Sequence, residues 1–123
     1  MRGYLIDTHV LIWSTSRDPK LSDAHAALLA GSGPFFFSMA SLWEIAIKQS
    51  IGKLKLKVDF TDDIADRDLS VLPIDLAHVR AVRVLEKRHG DPFDRMLIAQ
   101  AVVEGLTLLT DDEAIRAYDV PTA

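Results

Sequence analysis

The chain has 123 residues and no cysteine, so it is long enough for one domain with a sizeable core, and disulfides and thiolate metal sites are excluded. Hydrophobic residues make up 49% and charged residues 26%, and no apolar stretch approaches the roughly 20 residues that span a bilayer, so we expect a globular protein without a membrane partner. The net charge of −4 argues against a general nucleic-acid binder, although basic residues clustered in segments 48–57 and 80–89 would permit a local basic surface.

The first segment predicts a strand followed by a helix. Residues 3–8 form a short apolar run typical of a buried strand, and residues 9–14 have the composition of a short helix that Thr8 could cap. Asp7 and His9 interrupt the apolar stretch, and no small-residue cleavage site follows it. We therefore interpret it as a first strand rather than a signal peptide, and we expect the chain to be cytoplasmic.

The next segments continue the alternation of helix and strand. Ser22 is expected to cap an amphipathic helix that stops at the glycine-rich break 31–34. Residues 35–38 form a short, continuous apolar strand. A further helix is built on the apolar residues between 42 and 47 and is expected to end near Gly52.

The segment after residue 52 is less uniform. Residues 53–58 alternate with period two, which indicates either an edge strand or an extended surface connection. Residues 60–68 predict a short acidic helix, with its aspartates on a solvated face: Asp62, Asp63, Asp66 and Asp68. A strand over 69–74 is followed by a helix over 77–89 with a basic outer face, ending at Gly90.

The last third of the chain predicts a well-delimited helix and a fourth strand. Asp91 and Pro92 occupy the N-cap and first-turn positions of a helix that ends at Gly105. Residues 106–110 form the strand, and residues 112–118 form the final helix. Strands separated by helical segments call for a parallel sheet covered on both faces, so the chain is expected to be a single α/β domain over residues 1–123.

Four scattered acidic residues lie at or just past points where an apolar run meets a polar break. They are Asp7, Glu44, Asp94 and Asp112. In open parallel sheets, ligands bind outside the carboxyl ends of the strands. Carboxylates brought together there would repel one another, and a hard divalent cation is the usual way to hold them ionised. The sequence therefore predicts a composite metal site.

Two of these acids have structural explanations that sequence leaves open. Asp7 could bond backbone N–H groups at the start of the helix that follows it. Glu44 would be part of a capping box if its helix begins at Ser41. If Ser38 is the cap instead, Glu44 lies nearly two turns inside the helix, and capping does not explain a carboxylate at that position.

The other two acids have neighbours that suffice for capping. Asp91 is a good N-cap, so Asp94 at the third helical position is left only a favourable interaction with the helix dipole, about 0.3 to 1 kcal/mol. In the last helix Thr110 or Asp111 could be the cap, which leaves Asp112 free. This redundancy favours a functional role for Asp94 and Asp112.

Other catalytic chemistries find little support. The four histidines lack the close spacing of a histidine metal site and are interpreted as surface or packing residues: His9, His25, His78 and His89. The sequence contains no cysteine nucleophile, no defensible Ser-His-Asp arrangement and no phosphate-binding Gly-x-x-x-x-Gly-Lys loop. Metal-assisted hydrolysis is the reaction that remains.

Four segments of the chain resemble the toxin branch of the PIN-domain family, the VapC-like endoribonucleases of bacterial toxin-antitoxin pairs. In chain order they are YLIDTHVLIW, SLWEIAIKQSIGKLKL, DPFDRMLIAQA and LTLLTDDEAI, and together they cover most of the chain. The resemblance implies a three-layer α/β/α fold with a central parallel sheet of four or five strands. It also implies an Mg²⁺- or Mn²⁺-dependent RNase site, an antitoxin partner and a homodimer.

The family's four acids can be carried over position by position. They fall on Asp7, Glu44, Asp94 and Asp112. Thr110 matches the hydroxyl residue that commonly precedes the fourth acid by two positions. We assign the first three acids as main metal ligands and Asp112 as an outer or second-metal ligand. Many relatives have a longer last strand than follows Val120-Pro121 here, so a fifth strand is expected to be short or absent.

Two rival functions remain. One is a degenerate PIN-fold interaction module without catalysis, whose signature would be a missing acid. The other is an Asp-based magnesium phosphatase, but Asp7-Thr8-His9 lacks the second aspartate of the Asp-x-Asp nucleophile pair. No lysine follows the last strand as a phosphate partner.

Overall fold

The computed structural model describes residues 3–55 and 69–123, which form a parallel sheet with helices on both faces. Its elements are, in chain order, β1 (Tyr4–Ile6), α1 (Thr8–Ser16), α2 (Asp23–Leu29), β2 (Phe35–Ser38), α3 (Met39–Ser50), β3 (Ser70–Leu72), α4 (Leu76–Val84), α5 (Pro92–Glu104), β4 (Thr107–Leu109) and α6 (Glu113–Arg116). Within these described ranges, no helix is long and apolar enough to cross a membrane.

The sheet has the strand order β3-β2-β1-β4, and all three pairings are parallel. Tyr4 of β1 is in register with Phe35 on one side and with Thr107 on the other. The carboxyl ends of β1, β2 and β4 therefore meet at one edge. β1 is central, with the second strand on one side and the fourth on the other, so this edge is the topological switch point where ligands bind in open α/β sheets.

Successive residues of a strand point to opposite faces of the sheet, and here each face has its own core. Leu5 and its partner Leu108 pack with Leu97 and Ile98 of α5 and with Ile115 of α6. On the other face, the next residues along these strands pack against α1 and α3. That second core contains Ile6, Val10, Leu11, Phe35, Phe37, Ile45 and Leu109. The predicted three-layer α/β/α arrangement is confirmed.

Several predicted helix ends are also confirmed. The side chain of Ser22 accepts a hydrogen bond from the His25 N–H and caps α2. Asp91 caps α5, Pro92 is its first residue, and Gly105 ends it in the left-handed conformation with φ 69°. That conformation favours glycine, which has no Cβ to clash with the backbone. α1 differs slightly, because Asp7 and not Thr8 occupies its N-cap position.

The helix predicted over 77–89 is five residues too long. α4 ends at Val84, and Leu85 has extended dihedrals, φ −67° and ψ 139°. The cause is the Arg95 guanidinium, which donates hydrogen bonds to the carbonyls of Val82, Leu85 and Glu86 at 2.8–3.3 Å. These bonds satisfy carbonyl groups that a continued helix would have bonded internally. The chain from residue 85 to 90 is therefore a loop.

Two sequence predictions concern the segment after residue 52 and the C-terminal strand. The acidic helix predicted over 60–68 and residues 56–58 of the period-two segment lie outside the described residues, whereas residues 53–55 are not in a strand. At the C-terminal end, Thr122 makes an isolated parallel bridge with Leu108. The described sheet therefore has four strands, and the expectation of a short or absent fifth strand is confirmed as this single bridge.

The central strand gives a test of the core. Leu5 is fully buried, so Leu5→Ala should lower the free energy of unfolding by about 2–5 kcal/mol through lost burial and a residual cavity. Val84→Ala is the matched control, because Val84 is 80% exposed and its truncation should change stability by no more than about 0.5 kcal/mol. Urea unfolding followed by circular dichroism measures both. Equal effects of the two substitutions would contradict the assignment of the core.

Candidate metal centre

Asp7 lies directly after β1, at the switch point of the sheet, with 2% of its surface exposed. Although it occupies the N-cap position of α1, its side chain makes no capping hydrogen bond. Its Oδ2 accepts a hydrogen bond from the Thr110 hydroxyl at 3.0 Å. Its Oδ1 is buried and has no hydrogen-bond partner in the described structure. Capping therefore does not explain this carboxylate.

Glu44 lies inside α3 and is 3% exposed. The cap of α3 is Ser38, whose side chain accepts a hydrogen bond from the Ala40 N–H at 2.9 Å. Of the two alternatives left open by the sequence, the capping box at Ser41 is therefore wrong. Lys48 Nζ lies 2.9 Å from Glu44 Oε2, while Oε1 is buried without a hydrogen-bond partner in the described ranges.

Asp94 is the third residue of α5 and is also buried. Capping is done by Asp91, whose Oδ1 accepts hydrogen bonds from the backbone N–H groups of Phe93 and Asp94, as predicted. The Asp94 side chain is left for another contact. Its Oδ2 lies 2.7 Å from Nε2 of His89.

Asp112 is not left free by its neighbours, which corrects the sequence prediction. It is itself the N-cap of α6, because that helix begins at Glu113, one residue later than expected. Asp112 Oδ1 accepts a hydrogen bond from the Ala114 N–H at 2.9 Å. The Asp112 N–H donates to the Thr110 hydroxyl oxygen at 3.0 Å. Thr110 thus bonds to both the first and the fourth acid of the sequence pattern.

The structure groups Asp94 with Asp112, and Asp7 and Glu44 lie within electrostatic range of Asp94; we call these four acids the acidic cluster. Asp94 is close enough to Asp7 and Glu44 to repel both electrostatically. One ligand atom each from Asp94, Asp112 and His89 lies within 4.8 Å of the other two. Residues that are up to 105 positions apart in the sequence therefore meet at the edge where β1, β2 and β4 end.

His89 is the site residue that sequence reasoning missed. The other histidines behave as interpreted: His9 stacks on Trp13 with ring centroids 6.0 Å apart, His25 contacts the Ala123 carbonyl, and His78 belongs to the capping box of α4. His89 instead contacts Asp94. Its proximity to Asp91-Pro92-Phe93-Asp94 was a signal, but a helix running to residue 89 would not have indicated this contact.

Burial and mutual repulsion shift the ionisation of the cluster. Burial, followed by the negative charge of Asp94, raises the pKa of Asp7 from 3.8 to about 6, and the Thr110 hydrogen bond offsets part of this rise. Burial also raises the pKa of Asp94, against the opposing effect of its hydrogen bond with His89. The hydrogen bond with Glu44 raises the pKa of the Lys48 ammonium. His9 near Asp7 and His89 beside Asp94 offset only part of these rises.

The donor set fits a divalent cation. Buried polar groups are almost always hydrogen-bonded, so two unpartnered carboxylate oxygens in one cluster call for an explanation such as an ion. Carboxylate oxygens are the ligands that Mg²⁺ and Mn²⁺ prefer, and a cation would offset the repulsion among them. Asp7 Oδ1 and Glu44 Oε1 are the oxygens in question.

Comparison with known proteins gives the family. The model of the PIN domain family matches residues 4–121, nearly the whole chain. The chain belongs to the PIN domain family. Ribonuclease VapC22 from Mycobacterium tuberculosis (strain ATCC 25618 / H37Rv) is 24% identical to this PIN domain over 124 residues, which cover 98% of this chain and 95% of that protein.

Solved structures share the PIN fold. VapBC2 from Rickettsia felis, bound to a DNA fragment from its promoter, aligns with a TM-score of 0.74 and 17% identity over 100% of this chain and 98% of that chain. A toxin-antitoxin complex from Klebsiella pneumoniae aligns with a TM-score of 0.70 and 18% identity over 98% and 95%. FitAcB from Neisseria gonorrhoeae aligns with a TM-score of 0.70 and 19% identity over 97% and 95%. At these identities the likeness establishes the fold.

The raised pKa of Asp7 gives a prediction for the metal-free PIN domain. A folded-state pKa of about 6, above the ordinary 3.8, means that the contribution of Asp7 to stability is fully present below about pH 4 and is lost as the pH rises through 6. The loss by pH 8 is on the order of 3 kcal/mol. In EDTA, Asp7→Asn should therefore be more stable than wild type at pH 8, with a smaller advantage at pH 5.

Urea unfolding of both proteins at the two pH values measures this difference. Asparagine keeps an oxygen that can accept the Thr110 hydrogen bond, and its NH2 group replaces the unpartnered Oδ1. Any cost of that NH2 group is the same at both pH values, so the change in the advantage from pH 5 to pH 8 isolates the charge. Saturating Mg²⁺ should reduce or reverse the advantage of the variant, because a bound cation stabilises the folded wild type. If the advantage of the variant does not grow between pH 5 and pH 8, the pKa of Asp7 is not raised in the folded protein.

Proposed function

We propose that this chain is a divalent-metal-dependent endoribonuclease and the toxin of a toxin-antitoxin pair, with residues 1–123 as a single nuclease domain. The observation that carries the proposal is the pair of buried carboxylate oxygens without hydrogen-bond partners, Asp7 Oδ1 and Glu44 Oε1. Each belongs to a carboxylate whose other oxygen is held by a protein donor, Thr110 or Lys48. Such an arrangement fixes the carboxylate and leaves one oxygen for a ligand.

Each acid has a proposed role. Asp7, Glu44 and Asp94 are the main metal ligands, and Asp112 is an outer or second-metal ligand. The division follows burial, because the first three are buried whereas Asp112 is half-buried and spends one oxygen on its helix cap. Hydrogen bonds donated by Thr110 and Lys48, together with the one that the Asp91 cap accepts from the Asp94 N–H, are the outer contacts that orient these ligands.

The expected cofactor is Mg²⁺ or Mn²⁺. A bound cation of this kind lowers the pKa of a water molecule and offsets negative charge on a scissile phosphate. The protein side chains position the carboxylates, and none of the four acids needs to act as a nucleophile, so water is the attacking group in hydrolysis. Lys48, whose charge reaches Asp91 and Asp94, limits the negative potential that would otherwise repel an RNA backbone.

RNA is the proposed substrate because a relative that aligns along nearly its whole length is named a ribonuclease. The phosphatase alternative lacks its second aspartate, because that position is His9, whose ring stacks on Trp13. The interaction-module alternative requires a missing acid, yet all four are present, Asp94 groups with Asp112, and Asp7 and Glu44 lie within electrostatic range of Asp94. Neither rival has an observation in its favour.

A protein antitoxin is the proposed partner, because structural neighbours of this fold include a toxin-antitoxin complex and VapBC2. An inhibitor could inactivate the site with an arginine paired to the carboxylates, since a guanidinium forms bidentate bonds with such groups and would compete with metal. A homodimer and action in the cytoplasm, where the RNA substrate is found, complete the proposal.

The metal-ligand assignment predicts specific losses of activity. Asp94→Asn and Glu44→Gln should each lower the rate of RNA cleavage by at least about a hundredfold, because losing a ligand should exceed the 10- to 100-fold cost of losing an outer contact. EDTA should stop cleavage by wild type, and added Mg²⁺ or Mn²⁺ should restore it. A fluorescent single-stranded RNA resolved on a denaturing gel measures the rate.

Asp119→Asn is the matched control, because Asp119 is exposed and lies outside the acidic cluster, so its cleavage rate should equal that of wild type. Unchanged circular dichroism spectra would show that the site variants fold. Full activity in a folded Glu44→Gln protein would remove Glu44 from the ligand set. Cleavage that survives exhaustive chelation would contradict the metal-dependent mechanism altogether.

The toxin role predicts a cellular phenotype. Induced alone in a bacterial host, wild type should arrest growth, whereas Asp7→Asn at the same protein level should not, because it lacks a ligand for the cation. Co-expression with the product of the neighbouring gene should restore growth and give a complex that co-purifies. Colony counts and immunoblots measure these outcomes. Normal growth with abundant wild-type protein would leave a nuclease without a toxin role.

A further inference from the structure

We infer that His89 is a nitrogen ligand of the metal centre, acting together with Asp94 and Asp112. The inference rests on the proposed metal-dependent function and adds a side chain outside the four-acid pattern. Ligand atoms of these three residues lie within 4.8 Å of one another. The buried, unpartnered oxygens of Asp7 and Glu44 in the same cluster are independent signs that the cluster binds an ion.

Hydrogen bonds from Arg95 and to Tyr118 fix the backbone of the loop that carries His89. The Arg95 guanidinium bonds to the carbonyls of Leu85 and Glu86 and to the hydroxyl of Tyr118, and that hydroxyl accepts a hydrogen bond from the Arg88 N–H at 3.1 Å. The residue before His89 is thus fixed through its backbone. Asp91, two residues after His89, is fixed as the cap of α5. His89 is anchored on both sides.

The distances fit coordination with a small closing movement. Opposite ligands of an octahedral Mg²⁺ are about 4.2 Å apart, since each bond is about 2.0–2.1 Å. The three donor atoms lie within 4.8 Å of one another, so the separations in the metal-free protein are close to those that one ion requires. His89 Nε2 lies 2.7 Å from Asp94 Oδ2, a separation that suits neighbouring ligands of one ion.

The hydrogen bond between His89 and Asp94 is compatible with this role. With Asp94 ionised, Nε2 donates to its Oδ2 in the metal-free protein. A neutral imidazole can carry its proton on either nitrogen, and with the proton on Nδ1 the lone pair of Nε2 faces the carboxylates. Ligation of a cation by Nε2 would replace this hydrogen bond. In the metal-free protein the hydrogen bond holds the His89 ring in place.

A nitrogen ligand changes which ions the centre prefers. Mg²⁺ is a hard cation that takes oxygen ligands, whereas transition-metal dications accept imidazole more readily. A centre of carboxylates alone would distinguish Mg²⁺ from Mn²⁺ less. The His89 side chain should therefore shift the preference of this protein towards Mn²⁺.

The test uses Mn²⁺ as a paramagnetic probe bound to the whole protein without RNA. Electron spin echo envelope modulation of the wild-type complex should show a directly coordinated ¹⁴N nucleus. The signal should disappear in His89→Gln and persist in His9→Gln, the matched control, because the His9 ring stacks on Trp13 and is not one of the three grouped donors. The wild-type spectrum is informative even if a variant fails to fold.

Calorimetric titration gives a second readout. His89→Gln should reduce the ratio of Mn²⁺ affinity to Mg²⁺ affinity by about tenfold, because the lost imidazole favours Mn²⁺ over Mg²⁺. Absence of a ¹⁴N signal in wild type, or its persistence in His89→Gln, would overturn the inference. The Asp94→Asn variant separates failure of the His89 inference from failure of the proposed function. If Asp94→Asn leaves Mn²⁺ affinity unchanged, the acidic metal centre itself is wrong. If Asp94→Asn weakens Mn²⁺ binding while the ¹⁴N test fails, only the role of His89 is wrong.

Discussion

Repulsion among buried carboxylates is the constraint around which this edge of the sheet is organised. The charge of Asp94 opposes the ionisation of Asp7, the charge of Glu44 opposes the ionisation of Asp94, and burial removes the water that would screen these charges. Lys48 offsets part of this charge from one side and Thr110 donates a hydrogen bond from another. The repelling carboxylates lower the stability of the metal-free fold, but the same carboxylates would bind a cation. Such a trade-off between stability and function is common at functional sites.

The topology explains why such a constraint can be met at all. Three strands end together at the switch point, and the α/β layers hold the following helices in place, so residues far apart in sequence converge there. The backbone of three of the four acids is fixed by an element end: Asp7 after β1, Asp94 in the first turn of α5 and Asp112 at the cap of α6. Only Glu44 comes from a helix interior.

Sequence reasoning reached most of this fold because local signals and tertiary structure agree. The caps Ser22 and Asp91, the stop at Gly105 and the short apolar strands each have a local physical cause, and the structure confirms them. The α4 end was wrong because it depends on Arg95, whose guanidinium reaches backbone carbonyls from another helix. A side chain acting across elements leaves no periodic trace in sequence.

The same reasoning was less complete for the candidate site. The convergence of the acids was predicted from strand ends, and the alternatives for Glu44 were separated only by seeing which serine begins α3. Asp112 was expected to be free, but a one-residue shift in the start of α6 makes it a cap. His89 was set aside because the four histidines lack the close spacing of a histidine metal site, and a helix predicted to run to residue 89 gave no sign of its contact with Asp94. Errors of a few residues at element ends therefore matter most at sites built from those ends.

The Arg95 contacts also bear on how this loop can change during evolution. Arg95 binds main-chain carbonyl oxygens, which every amino acid possesses, so the side chains at 86–88 are not what sets the path of the loop. Substitutions there can accumulate while His89 stays in place, whereas lysine at position 95 would lose the planar fork that reaches several carbonyls at once. Among diverging relatives, the arginine should therefore persist longer than the loop sequence that it supports.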